Sequence, residues 1–286
     1  MARLKQVLAG GKFIVAPGVF DMISARIADR MGFDALYMTG YGATASYLGL
    51  PDAGLATYTE MVARVGQICE LTQTPLVADA DTGYGGLLNV RRTVRGYEAA
   101  GAQGIQIEDQ EMPKKCGHTL GRRVVPLEDM VLKIKVAVEA RRHEDTLIVA
   151  RTDARTTLGL DEALRRAEAY AKAGADVIFV ESPESEAEMA RIGKAIDKPL
   201  LANMVGGGRT PVLPAEKLKA LGFAMAIYPG LGFGAAAAAL QRAYAFLQKN
   251  GSDLNLDVPA MPIAEMHELM GFPEVWEFEK RWNQAG

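Results

Sequence analysis

Cysteine is scarce in this chain, with only Cys69 and Cys116 among 286 residues. Two thiols cannot make a disulfide framework, so the small stapled secreted class is excluded and a reducing compartment is the natural setting. The three histidines, His118, His143 and His267, form no cluster with Cys at metal-ligand spacing, which leaves oxygen donors as the candidate ligands. No apolar run reaches the roughly 20 residues that a membrane span needs; Ala235–Leu240 is far too short. The start, Met-Ala-Arg-Leu-Lys-Gln, lacks the apolar core of a signal peptide, so a cytoplasmic protein with no membrane partner is expected. A net charge of -3 gives no basic surplus to attract nucleic acid.

What is present is ordinary in bulk, with 49% hydrophobic and 23% charged residues, and a chain this long buries enough surface to need no staple. The order is more informative. Gly32-Phe-Asp-Ala-Leu-Tyr-Met-Thr39, Gly101-Ala-Gln-Gly-Ile-Gln-Ile-Glu108, Gly174-Ala-Asp-Val-Ile-Phe-Val-Glu181 and Gly222-Phe-Ala-Met-Ala-Ile-Tyr228 share one pattern. Each is a helix-ending Gly, a short apolar strand and a polar or small residue, as a buried parallel sheet requires. Phe13–Ala16, Leu76–Asp79, Leu147–Ala150 and Leu200–Asn203 raise the strand count to eight. Amphipathic stretches at 60–71, 89–100, 127–142, 161–173, 184–196 and 214–221 separate them. Eight such units predict a (β/α)8 TIM-type barrel. An open dinucleotide-binding sheet would want G-x-G-x-x-G after its first strand, where this chain has Ala16-Pro-Gly-Val19. The barrel is assigned to 1–249. A C-terminal helical extension, 250–286, carries Met266, Leu269, Met270, Phe272, Trp276, Phe278 and Trp282. That apolar face must be covered, by its own barrel or, as we expect, by a neighbouring subunit.

Chemistry in such barrels sits at the C-terminal strand ends. Here those ends carry Thr39-Gly40-Tyr41, Asp79-Ala-Asp81, Glu108-Asp109, Arg151-Thr-Asp153, Glu181, Asn203 and Tyr228. Strand alternation predicts that Asp79 and Asp81 share a side, while Glu108 and Asp109 diverge. Converging carboxylates must bind protons or a cation, and an all-oxygen set points to Mg2+, with Mn2+ as substitute. Capping of the following helices is the other fate for such acids. Arg151 and Arg209 suit a substrate carboxylate; alternatively Arg151 pairs with Asp153 or Glu181, and Arg209 is a solvent-facing loop residue. Lys114-Lys-Cys-Gly-His118 sets a thiol among cations, which lower its pKa and place it to exchange protons or attack; a chance surface thiol beside solvated lysines is the alternative. Cys69 and His143 read as core and surface residues, and His267 as interfacial.

Together these segments resemble the isocitrate lyase and phosphoenolpyruvate mutase superfamily over essentially the whole chain. The resemblance is carried by Tyr37-Met-Thr-Gly40, Leu50-Pro-Asp52, Asp79-Ala-Asp-Thr-Gly-Tyr-Gly85, Ile107-Glu-Asp-Gln110, Lys114-Lys-Cys-Gly-His118, Ala150-Arg-Thr-Asp153 and Ala202-Asn203. The Lys-Lys-Cys-Gly-His segment marks the lyase branch. Within it, Thr39-Gly-Tyr-Gly-Ala43 and Glu181-Ser-Pro-Glu184 are similar to the 2,3-dimethylmalate lyases. Methylisocitrate lyases typically have Ser-Gly-Gly in place of Thr39-Gly40-Tyr41. The resemblance implies a Mg2+-dependent carbon–carbon lyase that cleaves a 2-hydroxydicarboxylate to pyruvate and a short acid. Methylisocitrate, oxaloacetate or a 2-alkylmalate are alternative substrates. A phosphonate mutase or hydrolase and a non-catalytic binding barrel are the more distant readings. It further implies Cys116 as the general acid, with Lys115, His118 and Tyr37 assisting. Asp79, Asp81, Asp52 and Glu108 would serve the metal. Thr39, Gly40, Tyr41, Gly117, Arg151, Glu181, Asn203 and Arg209 would hold a di- or tricarboxylate substrate. Helix exchange between the subunits of a dimer or tetramer is implied as well.

Overall fold

The computed structural model describes residues 3–117, 119 and 121–282. Its eight parallel strands are β1 (Ile14–Val19), β2 (Leu36–Met38), β3 (Leu76–Asp79), β4 (Gly104–Glu108), β5 (Leu147–Thr152), β6 (Val177–Val180), β7 (Leu200–Asn203) and β8 (Met225–Tyr228). Each pairs with the next, and β1 pairs with β8 through Ile14↔Met225 to Pro17↔Tyr228, so the barrel closes in chain order. The expected (β/α)8 barrel is therefore the observed fold.

Alternation explains how short, fully apolar strands serve two cores. Ile14, Ala16, Tyr37, Val77, Val149, Phe179, Leu201 and Ile227 form one buried cluster, the barrel interior. Their sequence neighbours Leu36, Met38, Ala78, Ile148, Ile178 and Ala202 belong to a second, beneath the helices. The helix Leu4–Ala9, not foreseen from the sequence, adds Leu4 to the interior cluster, and the Leu4 amide donates to Gln103 Oε1 at 2.8 Å.

Helix ends follow local chemistry. The stretch expected at 60–71 begins at Tyr58, because Thr57 and Glu60 form a capping box. The one expected at 127–142 stops at Ala140, and Arg141 turns to pair with Asp176 at 2.5 Å. Two further helices, Met22–Arg30 and Gly40–Leu48, were not legible. The second holds three residues of low helix propensity in its first five, Gly40, Gly42 and Thr44.

By contacts the chain divides into two compact units, Met1–Phe233 and Gly234–Gly286. The second contains the helices Ile263–Met270 and Phe272–Trp282. Within it His267, Phe272 and Trp276 stack, with ring centroids 4.4 to 6.3 Å apart. Leu269 is buried, whereas Phe272, Trp276, Phe278 and Trp282 are exposed.

Gly18 is required where β1 meets β8. A Cβ there would lie 2.5 Å from Pro229 Cα, and backbone cannot move aside as a side chain can. Gly18→Ala is expected to destabilise by about 1–3 kcal/mol, seen as a lower Tm by circular dichroism. A wild-type Tm would refute this close approach.

Candidate active site at the carboxyl ends of the strands

The strand ends surround a cavity of about 220 Å3. That is below the roughly 300–1,000 Å3 of sites for drug-sized ligands and suits a small acid. Tyr37, Thr39, Asp52, Asp79, Arg151, Glu181 and Asn203 supply its polar lining, and Cys116 and Gly117 also line it. Tyr41, Val205, Ile227, Pro229 and Phe233 supply its apolar lining, and the Tyr41 and Phe233 rings pack at 5.4 Å.

Thr39 follows β2 and caps the helix Gly40–Leu48, its hydroxyl accepting from the Gly42 amide at 3.4 Å. The helix N-terminus thus opens at the cavity, a natural seat for a carboxylate. Gly40 keeps Asp79 close: a Cβ would meet Asp79 Oδ2 at 2.5 Å.

Asp79 and Asp81 come together, but not by strand alternation. β3 stops at Asp79, and Asp81 lies in the left-handed region at φ 47°, its amide donating to Asp79 Oδ1 at 3.0 Å. Asp tolerates that conformation better than most residues. The Lys114 ammonium pairs with Asp52 and with Asp81 (2.6 Å for the latter). Burial raises the Asp81 carboxyl to about 6 against the pull of Lys114. Burial likewise raises Glu108 well above the carboxylate range, with Arg151 opposing. Tyr37 is also raised, first by burial and then by Asp79, so its phenol stays neutral.

Glu108 and Asp109 diverge as expected. Asp109 turns outward to accept from Thr152, Tyr170 and Arg166 at 2.8 to 3.1 Å. Arg151 makes the pairs foreseen as its structural alternative. Its guanidinium donates twice to Asp153 at 2.9 Å and lies 3.3 Å from Glu108 and 3.4 Å from Glu181. It still lines the cavity. Asn203 Nδ2 donates to Glu181 Oε2 at 3.0 Å. Arg209 pairs instead with Glu184 at 3.0 Å, outside the cavity lining.

The segment bearing Cys116 is pinned at its base, where Glu111 donates to Arg123 O and Val125 to Asp109 O, both at 2.9 Å. Of the cations expected beside the thiol, Lys114 is committed to the acids and Lys115 Nζ donates to Gly121 O at 3.1 Å. His118 lies outside the described residues. Gly117 packs so closely that a Cβ would sit 2.5 Å from Arg151 Nη2. Its carbonyl accepts from Ser182 Oγ at 3.0 Å. Ser182, Asp153, Lys114 and Phe233 were not singled out as site residues. Ser182 and Asp153 stand inside motifs already quoted, whereas nothing in the sequence marks Phe233.

Metal capacity is judged from the donors. Among the described residues no three His, Cys, Asp or Glu side chains stand in ligand array. Yet Asp52, Asp79, Asp81 and Glu108 are oxygen donors at one buried end of the barrel, with Glu108 Oε1 lacking any hydrogen-bond partner. A hard divalent cation fits that donor chemistry.

The phosphoenolpyruvate phosphomutase family profile matches residues 4–248. The 2,3-dimethylmalate lyase of Eubacterium barkeri is 50% identical across 98% of this chain and 97% of its own. This chain belongs to the phosphoenolpyruvate mutase/isocitrate lyase superfamily. Another superfamily relative, the 2-methylisocitrate lyase of Aeropyrum pernix, is 41% identical over 97% of this chain and 88% of that one. Among solved superfamily structures, a 2,3-dimethylmalate lyase superposes with TM-score 0.92 at 38% identity, covering 98% and 96%. A phosphonopyruvate hydrolase bound to oxalate and Mg2+ gives 0.89 at 29%, covering 98% of each chain.

Asp81 links the site to stability. Its folded pKa of about 6 exceeds the unfolded value of roughly 3.9. The neutral form is therefore favoured by folding, and stability falls as pH rises from near 4 through 6. In EDTA at pH 7.5, Asp81→Asn is expected to melt a few degrees above wild type, with the gap closing toward pH 4.5. A lower Tm for the variant at pH 7.5 would show that its pairing with Lys114 outweighs burial.

Proposed function

We propose that this protein cleaves a 2-hydroxydicarboxylate carrying alkyl groups at C2 and C3, of the 2,3-dimethylmalate type, to pyruvate and a short carboxylic acid. The single observation behind this reading is the composition of the cavity lining. Carboxylate-holding groups and Cys116 share it with Val205, Ile227, Pro229 and the Tyr41 and Phe233 rings. Among the described lining residues Arg151 is the one basic side chain. A third carboxylate, as in methylisocitrate, would be desolvated against rings without a cation, at a cost of several kcal/mol. A methyl group is favoured there.

Arg151 and Asn203 hold one substrate carboxylate, and the amides at Gly40 and Tyr41 with the Thr39 hydroxyl hold the other. Glu181 and Gly117 complete the wall around it, while Arg209 acts at the rim through Glu184. The neutral Tyr37 phenol orients the 2-hydroxyl. Asp79, Asp81, Asp52 and Glu108 would hold Mg2+, which when bound supplies Lewis acidity that eases loss of the hydroxyl proton. As that proton passes to a general base, the C2–C3 bond breaks, C2 becomes the ketone of pyruvate, and the former bonding pair stays on C3. Cys116 donates the proton that completes the second acid, a general-acid role. Lys115 and His118 stabilise the charge that develops before protonation. The exposed rings of Phe272, Trp276, Phe278 and Trp282 support burial against a second copy, in a dimer or tetramer.

With Mg2+ present, Cys116→Ser is expected to lower kcat on 2,3-dimethylmalate by about 10²–10⁴-fold, with pyruvate affinity unchanged by calorimetry. Unimpaired turnover removes Cys116 from the mechanism. In a panel of 2,3-dimethylmalate, 2-methylmalate, methylisocitrate, isocitrate and oxaloacetate, the first should give the highest kcat/KM. Preference for methylisocitrate would overturn the argument from the apolar lining, and Phe233→Arg should shift kcat/KM toward that tricarboxylate.

A further inference from the structure

Arg122 is the largest fully buried side chain among the described residues, and the reaction outlined above gives it no task. It lies in the irregular segment after Cys116, where a solvated arginine would be ordinary. Instead it is fully buried, as is its partner Asp153. Arg122 Nη1 donates to Asp153 Oδ1 at 2.6 Å, and Nη2 donates to the Thr156 hydroxyl. Its Nε is buried and finds no hydrogen-bond partner among the described residues. An arginine buried with an unmet donor is costly unless its position matters.

Asp153 explains where the effect goes. The carboxylate that receives Arg122 also receives Arg151, Nε onto Oδ2 and Nη2 onto Oδ1, both at 2.9 Å. Burial alone would raise the Asp153 carboxyl, but Arg151 and Arg122 together hold it below its ordinary value. The Asp153 amide is fixed in turn by Asp109 at 2.8 Å, so this acceptor cannot drift. On its other side Arg151 is the floor beneath Gly117, next to Cys116.

The geometry points to Arg122 as a positioning residue that sets the Arg151 guanidinium through the shared Asp153 carboxylate, and thereby seats Cys116-Gly117 at the cavity. Without Arg122, one guanidinium would face the carboxylates of Asp153, Glu108 and Glu181, where two now balance them. Arg151 would then be free to tilt toward Glu108 or Glu181, which already lie 3.3 and 3.4 Å away. This extends the lyase reading, on which it depends for the role of Arg151 toward substrate.

The first test needs no turnover. The chain has only two thiols, and burial pushes Cys69 up to about 12, so that thiol reports whether the fold is intact. Arg122→Met is expected to speed iodoacetamide alkylation of Cys116 about tenfold, by loosening its seat locally, while Cys69 stays unreactive. Thr156→Val, which removes only the second acceptor, should shift Cys116 the same way by less. If Cys69 also reacts in Arg122→Met, the Thr156→Val result decides. The second test is a double-mutant cycle scored by KM for 2,3-dimethylmalate. Arg122→Met should raise KM about tenfold in the native background and far less in an Arg151→Lys background, because coupled residues are not additive. Equal effects in both backgrounds, or unchanged Cys116 reactivity in the deciding variant, overturn the proposal. Wild-type protein that fails to cleave any acid of the panel would sink the lyase reading and leave the alkylation result to judge Arg122 by itself.

Discussion

Burial of charge at the carboxyl ends of the strands is the constraint on which the rest of this molecule turns. Asp79, Asp81, Glu108, Asp153 and Glu181 are all buried there, together with Lys114, Arg122 and Arg151. Taking ions from water costs several kcal/mol each unless partners of good geometry stand ready. The chain meets that demand with two sets of ion pairs. Lys114 pairs with Asp52 and Asp81, while Arg122 pairs with Asp153 and Arg151 with Asp153, Glu108 and Glu181, Lys114 also attracting Glu108. Compensation is unequal. Asp153 is held low, whereas Asp81 and Glu108 are pushed high. A divalent cation would relieve that burial penalty by favouring the ionised carboxylates.

The same segment, 111–123, provides cations to both sets, Lys114 near one end and Arg122 near the other. Cys116 lies between them. Of the two described lysines beside it, Lys114 is turned to the acids and Lys115 to a backbone carbonyl.

Strand number, strand position and most strand-end residues were legible in the sequence because each is local. Apolar runs bounded by Gly mark buried strands, and the polar residue that ends each run marks the barrel's functional end. Asp79, Glu108, Arg151, Glu181 and Asn203 were found in this way. The helix at Gly40 was not, because its glycines and threonine disguise it until Thr39 caps it. Phe233 and Val205 escaped because an apolar residue in an apolar stretch says nothing about which cavity it will face. Arg122 escaped because its acceptors, Asp153 and Thr156, are 31 and 34 residues away.

The sequence by itself determined the barrel, the family, the acidic strand ends and the thiol, since periodicity and short motifs depend on neighbours a few residues apart. Only the tertiary structure decided the pairings. It turned Lys114 toward Asp52 across 62 positions, placed Arg209 on Glu184, and left Arg151 as the one cation among the described lining residues. Coulombic and packing partners in a closed barrel are chosen by strand order and register, through distances in space that spacing along the chain does not encode.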